Sequence, residues 1–280
     1  MNDSNLSDAP NGVSPLLAEF IEQTPFQALS PEVVHEAKRS LLNFVAGALS
    51  VADYPEIDAT VATLAPYAAG GACGLIGRSE RLDPLNAAFV NAVSANLLDF
   101  DDTHLQTVIH PSAPVAPPAF ALSEVHGCSG QVLLRAFALG AEIECRLGNS
   151  VSPGHYARGW HITATCGVFG AAVASGCLLG LDVNQMAHAL GIAASQSCGL
   201  VENLPRAAKN VAVGNSARNG VLSALFAQRG FEAAPTAIDG RFGWARACGD
   251  TPRLDAISDE LGSRWELLAN TYKPYPCGIV

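Results

Sequence analysis

The chain has 280 residues, 49% of them hydrophobic and 15% charged, with a formal net charge of −10. This is a globular composition rather than a disordered one, and it is long enough for one large core or one domain plus part of another. The acidity, with no Lys/Arg run longer than Lys38-Arg39, argues against a nucleic-acid partner. It leaves room for a small anion held by a few converging cations.

The first residues, MNDSNLSDAPNG, lack a basic segment followed by an apolar one, so no leader peptide is read there and the cytoplasm is the expected location. Ser14-Pro15 and Ser30-Pro31 each pair an N-cap with a proline at the first helical position. They predict a helix carrying Leu16, Leu17, Phe20 and Ile21, then a long one running to about Val51. A shorter helix is expected over 57–67, and a glycine-rich turn with one short strand over 70–77. Asp83-Pro84 opens another helix, expected to pass Leu98 and enter the acidic stretch beyond. Further helices are expected over 113–126, 129–148, 162–181, 183–198, 207–229 and 254–262, with 265–272 extended.

No β–α alternation with glycine-rich phosphate turns occurs, so a doubly wound sheet is not expected and the fold class is mainly α. Residues 162–181 carry no charge and are long enough to span a membrane. Their Gly/Ala/Ser/Thr/Cys-rich composition and lack of basic flanks predict a helix buried in protein instead, with no membrane partner. The eight cysteines are scattered without a CxxC pair, which predicts reduced and mostly buried thiols. The ending, Lys-Pro-Tyr-Pro-Cys-Gly-Ile-Val, is a Pro/Gly-rich turn. It suggests a helical domain over 1–268 and, over 269–280, the start of a linker into a missing second domain.

Three clusters carry candidate chemistry. In Asp99-Phe100-Asp101-Asp102-Thr103-His104, a continuing helix would place Asp99, Asp102 and Thr103 on one face and point Asp101 away. Acidic residues are disfavoured at a helix C-terminus, so the cluster calls for a cation, a hydrogen-bond network or a raised pKa. An Mg²⁺ site of the kind aspartate-rich motifs form in terpene cyclases and an acid/base pair with a nearby histidine such as His110 both answer that need. In the second cluster, His161 stands at the start of the uncharged helix, where the dipole disfavours the imidazolium and leaves a neutral proton acceptor. The preceding loop, 152–158, holds His155, Tyr156 and Arg158 as a mobile lid would. In the third, Lys209 sits at a helix start, an unfavourable place for a cation unless an anion is near. With the helix N–H groups it would make a carboxylate cradle. Lys273, in the terminal turn, is a fourth candidate. GxSxG, HExxH, P-loop and GxGxxG patterns do not occur.

In order along the chain, NAAFVNAVSANLLDFDDT (86–103), His110-Pro111-Ser112, GWHITATCGVFG (159–170), residues 209–220 and KPYPCG (273–278) resemble the MmgE/PrpD family. That family includes 2-methylcitrate dehydratase, cis-aconitate decarboxylase and iminodisuccinate epimerase. The interval from Thr103 to His110 is one residue longer than in the decarboxylase pattern. The resemblance implies an all-α first domain, a smaller α/β second domain and a homodimer. It also implies a site between the domains, lined by Asp99, Thr103, His110, His161, Lys209 and Lys273, that works without metal or organic cofactor.

The resemblance thus points to a lyase acting on a small di- or tricarboxylic acid by proton abstraction beside a carboxylate. Hydration/dehydration leads, with epimerisation and decarboxylation as alternatives. Asp99, His110, His161 and Lys209 are the expected catalytic residues, while Thr103, Lys209 and Lys273 are the expected substrate binders. A Mg²⁺-dependent terpenoid-type enzyme and a helical scaffold without catalysis are the readings from other classes. The six residues are expected to converge on one cleft, and the turn bearing Lys273 to be exposed or poorly ordered.

Overall fold

The computed structural model describes residues 12–278; the polar N-terminal stretch read for a leader lies outside them. The chain runs α1 (Val13–Glu22), α2 (Pro31–Ser50), α3 (Pro55–Leu64), β1 (Cys73–Gly74), β2 (Arg81–Leu82), α4 (Pro84–Asn96) and β3 (Thr103–His104). It continues through α5 (Ser112–His126), α6 (Gly130–Val151), α7 (Gly154–Ala157), α8 (Ile162–Leu179), α9 (Val183–Ala194) and α10 (Ala208–Gln228). The short α11 (Trp244–Cys248), α12 (Asp255–Ser258) and β4 (Asn270–Thr271) complete it. The fold is mainly α. Among the described residues there are two sheets of two antiparallel strands each, β1 with β2 and β3 with β4.

Start signals act as local chemistry dictates. Ser30 Oγ accepts from Val33 N at 3.3 Å, and Asp83 Oδ1 accepts from Leu85 N and Asn86 N at 3.0 and 3.1 Å, satisfying orphan donors of the first turn. Helix α1 begins two residues earlier than its Ser-Pro pair predicts. Asp239 Oδ1, 226 positions away, caps it by accepting from Val13 N. Helices α9 and α12 stop short of their expected ends.

The reason at α12 is Arg146, fully buried on α6. It pairs with Glu142 at 2.6 Å and donates to the carbonyls of Ile257, Asp259, Glu260 and Arg264. Those oxygens are spent on a guanidinium instead of a helix.

Helix α8 is the hub, packed against α5, α6, α9 and α10. It is long and apolar enough to cross a membrane, yet 89% of it is buried inside the protein. Small residues make this crowding possible: a Cβ at Gly220 would stand 2.3 Å from Ala171 Cβ, and one at Gly140 would stand 2.6 Å from the Gly170 carbonyl oxygen. All eight cysteines are free; Cys73, Cys145, Cys166 and Cys248 are buried, and Cys198 is exposed.

Candidate functional site

Helix α4 ends at Asn96 rather than continuing into the acidic run. Asp99 takes φ 57, a left-handed turn in which its N–H donates to the Asn96 carbonyl at 3.2 Å. That reversal undoes the expected sharing of one helix face. Asp101 points inward, not away: its side chain is buried, and Oδ2 accepts from Asn96 Nδ2 at 2.6 Å. Asp102 is fully buried and structural. Its Oδ1 accepts from Ser112 N and Oγ at the start of α5, and its Oδ2 accepts from Asn270 Nδ2. Burial pushes its carboxyl up to about 7 against the opposing pull of Ser112.

His110 joins these groups. Its Nδ1 lies 3.0 Å from the Asp102 carbonyl and 3.0 Å from Thr103 Oγ1. Its Nε2 faces Asp99 Oδ1 at 3.4 Å. Carbonyl and carboxylate oxygens can only accept, so each ring nitrogen of His110 faces an acceptor.

Burial alone would raise the Asp99 carboxyl, but Lys209, His110 and Lys273 together outweigh it and hold it below the ordinary aspartate range. Lys209 Nζ is 3.5 Å from Asp99 Oδ2. Asp99 is therefore the anion that a lysine at the start of α10 requires.

His161 is the N-cap residue of α8, with its N–H donating to the Gly199 carbonyl at 3.1 Å. It is 4% exposed, and its Nδ1 has no hydrogen-bond partner. Burial first, then the cations His110 and Lys209, push its pKa down to about 3. The neutral imidazole expected from the helix dipole is present, but desolvation is its main cause.

A cavity of about 310 Å³ is lined by Asp99, His110, His161 and Lys209, with Val108, Tyr156, Leu204, Pro205 and Gly278 as its other walls. Four of the six expected site residues thus meet at one surface. The other two stand behind it. Thr103 is fully buried under His110. The Lys273 side chain is also buried, and Nζ donates to the Asp99 carbonyl at 2.6 Å and Oδ1 at 3.2 Å. Lys273 itself is buried, because β4 ties its segment to β3 with Thr271 opposite Thr103, while Pro274, Tyr275 and Pro276 of the turn beyond it are exposed as expected. In this arrangement Thr103 and Lys273 position Asp99 and His110 and do not reach the cavity.

One ligand atom each from Asp99, Asp101 and His110 lie within 4.8 Å of one another, a donor set suited to a divalent ion. Lys273 Nζ already stands 3.2 Å and 3.9 Å from the two aspartates, so the chain supplies a positive charge there itself.

The apolar walls escaped the sequence reading. Tyr156 lies in the segment read as a lid, but that segment is anchored. His155 is fully buried, with Nδ1 donating to the Cys248 carbonyl at 3.2 Å and Nε2 accepting from Thr165 Oγ1 at 2.7 Å. Burial pushes the His155 pKa down to about 4. Nothing local marked Val108, Leu204 or Pro205; only the fold brings them to His110 and Lys209.

Known proteins are similar to this chain over much of its length. Cis-aconitate decarboxylase of Aspergillus terreus is 30% identical over 289 residues, covering 98% of this chain and 59% of that protein. The cis-aconitate decarboxylase-like protein oryM of Aspergillus oryzae is 28% identical, covering 96% of the chain and 59% of that protein. Cis-aconitate decarboxylase of Mus musculus is 33% identical, covering 68% and 41%. The chain therefore spans 59% of the length of the two fungal relatives. The model of the MmgE/PrpD N-terminal domain matches residues 16–256, and on that match and these identities the chain belongs to the MmgE/PrpD family.

Proposed function

We propose that the chain carries the proton-transfer and carboxylate-binding residues of a lyase for a small polycarboxylate, and that the reaction is decarboxylation of an unsaturated tricarboxylate. The observation that carries this reading is the cavity itself: one ammonium, one doubly hydrogen-bonded imidazole, one neutral imidazole and one ionised carboxylate share about 310 Å³. Dehydration, expected first from the sequence, gives way to decarboxylation because the similar proteins bear names of that activity.

Lys209 pairs with a substrate carboxylate in place of part of its contact with Asp99. The carbon–carbon bond to a second carboxylate breaks, carbon dioxide leaves, and the electron pair spreads over the adjacent double bond. His110 supplies the proton that completes the product and recovers one from solvent. His161, neutral and with an open Nδ1, accepts a hydrogen bond from the bound acid. Each well-placed acid or base contributes ~10²–10⁴ in rate.

The test is carbon dioxide release from cis-aconitate by the protein and its Lys209→Ala and His110→Gln variants. The wild type should release it, with kcat/KM falling at least ~10²-fold in His110→Gln and KM rising in Lys209→Ala. Water elimination from a hydroxylated tricarboxylate, without any carbon dioxide from cis-aconitate, would overturn the reading.

A further inference from the structure

Val108 occupies a conformation that its side chain resists. Its φ is 55, the left-handed region, where a β-branched residue crowds its own backbone. Non-glycine residues persist there only where their surroundings over-determine them. The surroundings here do. On one side, Thr107 Oγ1 lies 2.8 Å from His104 Nδ1 and accepts from Ile109 N at 3.3 Å. On the other, Ile109 is fully buried, its carbonyl accepts from His104 N at 2.8 Å, and His110 N donates to Thr163 Oγ1 at 3.1 Å. With both neighbours fixed, the Val108 side chain is delivered to the cavity wall.

The same cavity has a second apolar contributor held with equal firmness. Tyr156 follows His155, which is locked between Cys248 and Thr165. Leu204 and Pro205 add to the apolar lining. The lining is therefore of two kinds, charged and titratable groups at Asp99, His110, His161 and Lys209 and mainly apolar surface at Val108, Tyr156, Leu204 and Pro205. A polar substituent pressed against the carbon surface loses its water without gaining a partner.

We propose that Val108 is a specificity-determining residue: its strained backbone presses an isopropyl group into the cavity, and with Tyr156, Leu204 and Pro205 it forms an apolar jaw that selects polycarboxylates whose central carbon carries no hydroxyl. This rests on the polycarboxylate reading above and narrows it to unhydroxylated acids. Valine, where glycine would sit without strain, marks a side chain kept for what it touches.

Propane-1,2,3-tricarboxylate and citrate have the same three carboxylates and differ by one hydroxyl on the central carbon. Their affinities, measured by calorimetry for the wild type and for Val108→Gly, Val108→Thr and Tyr156→Phe, test the jaw. The wild type should prefer the unhydroxylated acid by ~10–100-fold, the range a hydrophobic pocket achieves against an added hydroxyl. Val108→Gly, whose melting temperature should hold because it relieves the backbone, and Val108→Thr, which places a hydroxyl in the wall, should each cut the preference to under ~3-fold, whereas Tyr156→Phe should retain it. Equal wild-type affinity for both acids, or an unchanged ratio in both Val108 variants, overturns the jaw while leaving the lyase reading in place. If the wild type binds neither acid, the polycarboxylate reading falls and the jaw falls with it.

Discussion

His161 and Glu144 are both buried titratable groups with unpaired polar atoms, and they respond to pH in opposite directions. With its pKa pushed down to about 3, His161 stays neutral through the physiological range. The acid limb of kcat/KM attributable to it should therefore lie near pH 3 rather than near the ordinary imidazole value of ~6.5. A His161→Gln variant compared over pH 3–8 checks this, and a limb at 6–7 that vanishes in the variant would refute it. Its depressed pKa also means that stability is intact above the ordinary value and declines as pH falls through it, because the unfolded chain takes up a proton that the folded chain refuses.

Glu144 on α6 is fully buried, and neither carboxylate oxygen has a partner. Burial, with Asp102 adding to it, raises its pKa well above the usual glutamate range. Here stability is fully present below the unfolded value and is lost as pH rises towards the folded one. Glu144→Gln should therefore raise the melting temperature at pH 8 more than at pH 5. A larger gain at pH 5 would contradict the assignment.

At the scale of elements, close approach of small residues decides stability more than propensity does. Gly220→Ala would set a methyl 2.3 Å from Ala171 Cβ and 2.6 Å from the Ala171 carbonyl carbon. Overpacking of this kind costs about 1–3 kcal/mol. Gly130, the first residue of α6, has open space where its Cβ would go, so Gly130→Ala should stabilise by about 0.4–1 kcal/mol. Urea unfolding of both variants measures the contrast, and equal effects would show that the α8–α10 contact yields.

The helices were legible in the sequence where their signals are local. Ser30-Pro31 and Asp83-Pro84 open α2 and α4 as predicted, and the uncharged small-residue run became the buried α8. Prediction failed where a distant side chain takes over a backbone group, as Arg146 does to the carbonyls around α12 and Asp239 to the start of α1. The same holds at the site. Asp99, His110, His161 and Lys209 could be picked out from their uncomfortable local chemistry. The inward turn of Asp101 and Asp102 depends on Asn96, Ser112 and Asn270, and a helix period applied to residues 99–103 cannot see them.

Across the whole molecule, the charge balance of the site is internal. Lys273 stands between Asp99 and Asp101, where an added cation would otherwise relieve them. Exhaustive dialysis against EDTA should therefore leave polycarboxylate binding by the wild type unchanged. Binding that is lost on chelation and restored by Mg²⁺ would make the aspartates metal ligands.

The two-residue ladder between β3 and β4 joins positions 168 apart in sequence, and the Lys273–Asp99 contact spans 174. Such contacts close loops longer than half the chain, and the entropy of closing them is met only after the helices between have packed. On refolding, helicity should return well before the cavity does. In stopped-flow experiments from urea, far-ultraviolet dichroism should recover in an earlier phase than tricarboxylate binding. During synthesis the consequence is one of timing: a nascent chain can hold a nearly complete helical body while its site still waits for residues 270–273 to emerge.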